Sequence, residues 1–267
     1  MATDDLPPIG LGTYSDDRRE QWRENVRVAV EAGYRHVDSA QDYDNETYVG
    51  QGLADADVPH EDVLVATKVS TDNLAREDVV ASTEASLDRL GLDRIDLLYV
   101  HWPADTYDPA ETLAGFDELV DRGLVGRVGL SNFTPALLDE ARDHLDAPVA
   151  AHQVECHPLC PQEELRAYAD DHGHQLVAYS PLAKGEVFEV PAISEVAERR
   201  DATPAQVSLA WLDAKGVASV PKASSADHLR DNLAAPDLEL TDDDVAAIDA
   251  IDRRYRVIDP DWAPWNE

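Results

Sequence analysis

Arg35–Gly50, RHVDSAQDYDNETYVG, is the stretch whose reading decides the fold. Its first part, Arg35–Ala40, has the composition of a short buried strand. A tight turn follows, and a helix opens near Asn45 and runs to about Ala54. Asp44 or Asn45 is placed to cap that helix by accepting from its first free N–H groups. The strand ends on a carboxylate, Asp38, and a tyrosine, Tyr43, sits at the turn. Two ionisable groups therefore stand where the carboxyl end of a strand meets a loop, the place where chemistry gathers in parallel-sheet proteins. The stretch alone also admits a purely structural reading, with a buried Asp holding the loop and a Tyr packed on the core.

The same unit recurs outward from this stretch. Before it, Glu20–Ala32 reads as a helix with Trp22, Val26, Ala29 and Val30 at helical spacing, ended by Gly33. Ile9–Ser15, IGLGTYS, reads as a Gly-punctuated lead-in, a hairpin or a loop beneath a barrel. After it come a strand Val63–Lys68, a helix Glu77–Leu90 with Val80, Ser82, Leu87 and Leu90 inward, and a strand Ile95–Trp102. Helix Thr112–Arg122, strand Arg127–Phe133, helix Pro135–His144, strand Val149–Val154, helix Gln162–His172 and strand Gln175–Ser180 follow. Helices Ile193–Arg200 and Pro204–Lys215, the second capped by Thr203, lead to strand Val217–Pro221 and helix Ser225–Leu233. A last short strand falls at about Asp237–Leu240, before helix Thr241–Ile251 with its acidic first turn. Strands of 4–8 residues alternating with longer helices imply a parallel sheet. About eight units in one chain fit a closed α/β barrel, a single-domain (β/α)8 TIM barrel over residues 1–267, better than an open sheet. No GxGxxG follows a first strand, which argues against a Rossmann domain.

Composition narrows the function classes. Of 267 residues, 55 are acidic and 22 basic, a net charge of −33, with the acids spread along the chain. Phosphates would be repelled, so nucleic acid is excluded as a partner, as is an anionic membrane surface. No run of about 18 apolar residues suggests a membrane span. No apolar leader is evident, and the two cysteines, Cys156 and Cys160, form no disulfide framework, so the expected compartment is a reducing cytoplasm. The acidity suggests a halophilic setting, where a Debye length of about 3 Å or less screens self-repulsion.

Polar residues recur at the carboxyl ends of successive strands: Asp38, Lys68, His101, Ser131 with Asn132, Gln153, Ser180 and Lys222. In a barrel these ends converge on one face. A Lys after VLVAT or a His after LLYV is costly in a core unless paired. Asp38, Tyr43, Lys68 and His101 together suit proton donation to a carbonyl. A Lys ammonium lowers the pKa of a neighbouring tyrosine, Asp38 holds Lys68 in place, and His101 orients a carbonyl oxygen. Phosphoryl transfer would need GxxxxGK[ST], which is absent.

Seven ordered motifs carry a resemblance. They are D-x-A-x-x-Y-x-N-E-x-x-x-G (Asp38 to Gly50), ATK ending at Lys68, HWP at 101–103, GLSNF at 129–133, QVExHP at 153–158, YSPL at 179–182 and PK at 221–222. Over Ile9 to Asp252 the chain resembles the aldo-keto reductases, and its ending RVIDPDW (Arg256–Trp262) is most similar to prokaryotic members of the 2,5-diketogluconate reductase type. The resemblance implies NAD(P)H-dependent reduction of aldehydes or ketones, with Asp38, Tyr43, Lys68 and His101 as catalytic tetrad and Tyr43 as proton donor. It implies an extended nicotinamide cofactor, NADPH with NADH possible. Ser131, Asn132 and Gln153 would meet its carboxamide and Tyr179 its ring, with Gly12 and Thr13 nearby. Ser180, Leu182 and Lys184 would lie along the pyrophosphate and ribose. Lys222, Ser224 and Ser225 would meet the 2′-phosphate, and Asp231 and Asn232 the adenine. Tyr14, Trp102 and Trp262 would border a small carbonyl substrate, in a protein expected to be monomeric.

Three positions depart from the pattern. Asp44 stands where Gly is usual, Ala223 where Ser is usual after PK, and His228 where NADPH-preferring members carry Arg, so that a bidentate guanidinium is missing. Cys156, His157 and Cys160 supply too few donors for a metal, and none is expected. A cofactor-binding regulatory or redox-sensing subunit on the same barrel is the alternative from another class, since fold does not fix function.

Overall fold

The computed structural model describes residues 6–14 and 18–266. Eight parallel strands run in sequence order around one sheet: β1 (Leu11–Gly12), β2 (His36–Asp38), β3 (Leu64–Val69), β4 (Ile95–Val100), β5 (Val125–Ser131), β6 (Val149–Glu155), β7 (Gln175–Tyr179) and β8 (Ala218–Ser219). The ring is closed by a parallel bridge between Ile9 and Ser219, and by main-chain bonds from Gly10 N–H to Ser219 O (2.8 Å) and Gly12 N–H to Pro221 O (3.2 Å). This is the (β/α)8 barrel that the alternation predicts.

Among the described residues ten α-helices surround it: α1 (Gln21–Ala32), α2 (Glu46–Asp55), α3 (Arg76–Leu90), α4 (Pro109–Asp121), α5 (Pro135–His144), α6 (Glu163–His172), α7 (Pro191–Arg200), α8 (Pro204–Ala214), α9 (Ala226–Leu233) and α10 (Asp242–Asp249). Local chemistry sets their ends. Thr203 and Thr241 close capping boxes with Gln206 and Asp244, satisfying N–H groups that the first helical turn leaves unpaired. Gly33 ends α1 at φ 119°, a conformation strained for any side chain.

Two apolar layers result. The larger lies between strands and helices and contains Trp22, Phe116, Ile193 and Trp211. The smaller fills the barrel, with Leu6, Ala66, Leu97, Tyr99, Ala151, Val177, Ala218 and Val220. Side chains alternate along a strand, so the residue two beyond each interior position faces the same way. Two beyond Ala66 is Lys68, beyond Tyr99 is His101, beyond Ala151 is Gln153 and beyond Val177 is Tyr179. The barrel filling thus hands over to polar groups at one end.

Four sequence expectations are corrected. Ile9–Ser15 is not beneath the barrel: Leu11–Gly12 is its first strand, and Ser15 lies outside the described residues. A Cβ on Gly12 would stand 2.4 Å from Val220 O, so a glycine-rich segment with little strand propensity is what the tight β1–β8 seam requires. Asp237–Leu240 is no strand, because the eighth place is filled by Ala218–Ser219. The fully buried face of α3 is Val79, Thr83, Ser86, Leu87 and Leu90; Leu87 and Leu90 are as expected, Val80 packs at the edge of the core, and Ser82 is not part of that face. Neither Asp44 nor Asn45 caps α2 with its side chain; Asp44 takes a left-handed turn (φ 49°), and the Asn45 amide is used elsewhere.

Candidate active site

The site is built on the end of β2. The Asp38 carbonyl accepts from both Thr13 N–H and Thr13 Oγ1, each at 3.0 Å, which ties β2 to the segment after β1. Asn45 donates Nδ2 to Thr13 O (2.7 Å) and accepts from Ser39 Oγ (3.0 Å), closing the loop around the same point. Glu46 accepts from Thr67 Oγ1 (2.5 Å) and Arg89 Nε (2.8 Å), linking the start of α2 to β3 and α3. Asn45 and Glu46 therefore act as braces under the turn that carries Tyr43.

Within this frame Lys68 is fully enclosed. Its Nζ donates to Asp38 Oδ1 (2.5 Å) and to Ser39 O (2.8 Å), while Asp38 Oδ2 accepts from Gln153 Nε2 (2.8 Å). Such a buried pair holds its geometry because every charged atom has a partner. The Tyr43 ring lies over the ammonium at 5.2 Å, and meets the rings of Tyr14 and His101 edge-on at 5.2 and 6.0 Å. His101 Nδ1 lies 2.9 Å from Asp42 Oδ2. The four residues of the expected tetrad are brought together at the mouth.

One electrostatic expectation is overturned. The net shift of the Tyr43 pKa runs upward, not down. Burial, followed by the carboxylates Asp38 and Asp42 and by Tyr14, pushes the phenol well above its ordinary value. The Lys68 ammonium is paired with Asp38, and burial draws its own pKa below the ordinary lysine value against the pull of that carboxylate. Burial likewise lowers the His101 pKa, opposed by Asp42. The arrangement keeps the proton on Tyr43 until a strong base forms beside it.

The neighbouring strand ends carry neutral polar groups. Ser131 and Gln153 are buried, and Asn132, held at φ 65°, donates to His101 O and Ser131 Oγ (both 3.0 Å) and accepts from Tyr179 OH (2.8 Å). Amides and hydroxyls are the donor and acceptor set that a carboxamide matches. Ser180, Ala183 and Lys184 are left-handed (φ 46°, 48° and 51°), turning the chain sharply beyond β7, with Leu182 packed on the core between them. Lys222, Ser224, Ser225 and His228 are exposed around the first turn of α9, where Ser225 Oγ accepts from His228 N–H (3.2 Å). These groups fit a nicotinamide dinucleotide with a terminal phosphate. Other expected cofactor residues serve the frame: Gly12 the barrel seam, Thr13 the Asp38 carbonyl. Asp231 is half-buried, and Asn232 is buried beside the Tyr34 hydroxyl.

Aromatic rings wall the mouth. Trp102 meets Trp262 at 5.0 Å and Trp265 at 5.5 Å, and the exposed Tyr14 stands edge-on to Tyr43. The C-terminal segment carrying the two tryptophans is latched by Glu155, which is buried and accepts from Val257 N–H (2.6 Å) and Ile258 N–H (2.8 Å). His157 supports the latch, its Nε2 2.9 Å from Glu155 Oε1 and its Nδ1 accepting from Leu159 N–H. With both ring nitrogens engaged, His157 has none left for a metal, and among the described residues no group of three His, Cys, Asp or Glu could hold one. Asp42 escaped sequence reading, and Glu155 was read only as part of the QVExHP motif, without its role as a latch. A carboxylate beside an exposed turn looks solvated, and only the apolar strand around Glu155 signals that it is buried.

Comparison with known proteins agrees with this geometry. Residues 8–253 match the aldo/keto reductase family. An aldo-keto reductase of Mycolicibacterium vanbaalenii is 39% identical over 94% of this chain and 90% of its own. Methylglyoxal reductase DkgB of Escherichia coli O157:H7 is 34% identical over 96% of this chain and 97% of its own. The crystal structure of a Bombyx mori aldo-keto reductase in complex with NADP superposes with a TM-score of 0.88, at 31% identity over 96% of this chain and 92% of that one. The chain belongs to the aldo/keto reductase family and is an NAD(P)H-dependent oxidoreductase that acts on carbonyl groups.

Proposed function

We propose that this chain reduces small aldehydes and ketones to alcohols with NADPH, Tyr43 donating the proton and Asp38, Lys68 and His101 completing the catalytic set. The observation that carries the assignment is the buried Asp38–Lys68 pair directly beneath the Tyr43 ring, at the carboxyl ends of the strands. The reduced nicotinamide supplies a hydride when bound. As negative charge develops on the carbonyl oxygen, Tyr43 transfers its phenolic proton there, and the Lys68 ammonium, fixed by Asp38, stabilises the phenolate that remains. Ser131, Asn132 and Gln153 orient the nicotinamide amide, Tyr179 faces its ring, and Lys222 with Ser224 meets the terminal phosphate. His228 offers no guanidinium fork, so discrimination against NADH is modest.

The wall of Tyr14, Trp102, Trp262 and Trp265 suits small, uncharged carbonyl compounds, and the methylglyoxal reductase among the relatives supports that size class. A net charge of −33 supports a protein that works as a single-domain monomer in a salt-rich cytoplasm. The test is oxidation of NADPH and NADH in parallel, in multimolar KCl, against methylglyoxal, an aromatic aldehyde, a pentose and a keto-sugar acid. Turnover is expected with both cofactors, faster with NADPH. Cofactor binding in a fluorescence titration without turnover on any of the four would overturn the assignment.

A further inference from the structure

Behind the barrel wall, Arg142 from α5, His152 from β6 and His174 from the loop before β7 form a cluster that the active site does not use. Ala151 and Gln153 face the barrel interior, so His152 between them faces outward, towards the helices. Its ring lies 6.1 Å from that of His174, and Arg142 Nη2 lies 2.7 Å from His174 Nδ1. His152 is fully enclosed and His174 is only 7% exposed.

The contacts fix which atoms carry protons. Burial holds both imidazoles neutral, lowering the pKa of His152 to about 3 and of His174 to about 4, and the Arg142 charge acts in the same direction. His152 Nε2 accepts from Phe133 N–H (3.3 Å), so the single proton of that ring sits on Nδ1. A guanidinium can only donate, so His174 Nδ1 accepts and its proton sits on Nε2. Arg142 brings a further N–H at Nε. These three donors, His152 Nδ1, His174 Nε2 and Arg142 Nε, are all buried, and none has an acceptor in the protein. A buried donor left unpaired is costly, and here three gather beside one positive charge.

What the cluster needs is an acceptor that adds no proton of its own. The Asp139 carboxylate nearby is engaged, accepting from Tyr168 OH (2.6 Å) on the exposed side. A water molecule would bring two more protons into a place already short of acceptors. A monoatomic anion brings acceptor capacity alone and also answers the guanidinium charge. His174 lines, with Ala150 and Gly173, a cavity of about 510 Å³ at the foot of the barrel, which gives a small ion an approach from solvent.

We propose that Arg142, His152 and His174 form a chloride site, through which the halide stabilises the packing of α5 on β6 and β7 apart from any general screening by salt. The proposal does not depend on the reductase assignment.

Two measurements test it. The first uses bromide as the probe: anomalous diffraction from crystals of the wild-type protein grown in KBr. A bromide peak within hydrogen-bond reach of the three donors is expected. A water molecule in that place, or bromide on the surface only, overturns the proposal. The second is denaturant unfolding at pH 7 in about 2 M KCl and in about 2 M potassium gluconate, whose anion is too large for the site while the ionic strength is the same. For a dissociation constant of about 0.1 M, the ratio of the two folding constants should be about twentyfold larger in the wild-type protein than in His152→Leu. Arg142→Met, at a partly exposed position, gives the same comparison if His152→Leu does not fold. A ratio equal to that of the wild type in the variant overturns the proposal.

Discussion

At the residue scale, Tyr43 is the group whose removal should be most specific. Tyr43→Phe leaves the Lys68–Asp38 pair and the neutral amides at the strand ends in place. It should lower kcat for aldehyde reduction by about 10²–10⁴-fold while leaving NADPH affinity unchanged in a fluorescence titration. Retention of activity would remove Tyr43 from the role of acid. The upward pKa shift of Tyr43 sets a pH expectation as well. The phenol keeps its proton to higher pH than a free tyrosine, so reduction should show no loss traceable to Tyr43 below about pH 10. In Asp42→Asn one of the carboxylates raising that pKa is gone, and the alkaline limb of kcat against pH should move down. Much of this site was legible because Asp38, Lys68 and His101 are costly residues at the ends of apolar strands. What escaped was the direction of the Tyr43 shift. A sequence shows that a lysine is near a tyrosine, but not that burial and two carboxylates push the phenol the other way.

At the element scale, the buried Glu155 carboxylate anchors the C-terminal segment, beside the bond from Tyr255 N–H to Leu159 O (2.9 Å) and the buried Ala263. Glu155→Ala removes the acceptor of Val257 and Ile258 N–H and leaves His157 without its partner. The segment should then swing away from Trp102, which would appear as altered tryptophan emission, faster proteolysis after residue 255 and a raised KM for aldehydes with kcat less affected. An unaltered KM would show that Trp262 and Trp265 do not shape the pocket. The seam between β1 and β8 is the other sensitive element. Gly12→Ala would place a methyl group 2.4 Å from Val220 O and should destabilise the protein by about 1–3 kcal/mol in denaturant unfolding. Helices such as α1 and α8 were legible because period, cap and stop signal agree. β1 was not, because a two-residue strand between glycines has neither the length nor the composition of a strand, and its pairing is fixed by close approach alone. Asn45 had the composition of a cap and is a brace, since its amide is claimed by Ser39 in the preceding turn and by Thr13, distant in sequence.

At the scale of the whole molecule, acid should destabilise the fold before the carboxylates titrate. Burial lowers the pKa of His36 to about 4, of His152 to about 3 and of His174 to about 4. Below about pH 6.5 the unfolded chain binds these protons and the folded chain does not, so stability falls as the pH drops from there towards about 4. The slope is up to about 1.4 kcal/mol per pH unit for each of His36 and His152, and less for the more exposed His174. Denaturant unfolding at pH 7 and pH 5 checks this, and equal stabilities would contradict it. Acids outnumber bases so heavily that the ion pairs on the surface, such as Arg23 with Asp55, leave a large unpaired negative excess. Raising KCl from low to multimolar concentration should therefore raise the midpoint of thermal unfolding, and an unchanged midpoint would detach the acidity from salt adaptation.

The bridge between Ile9 and Ser219 also governs how the protein is made. A ribosome that has released Ile9 must add about 210 further residues before the bonding partner of that segment exists, which at roughly 5–20 residues per second takes on the order of 10–40 s. Throughout that interval the nascent sheet is an open curl with two unsatisfied edges, those of β1 and β7, each a template for pairing with another chain. The last strand thus carries a burden out of proportion to its two residues. Translation that stalls before Ser219 leaves an aggregation-prone product, and one that passes it leaves a barrel with no edge at all.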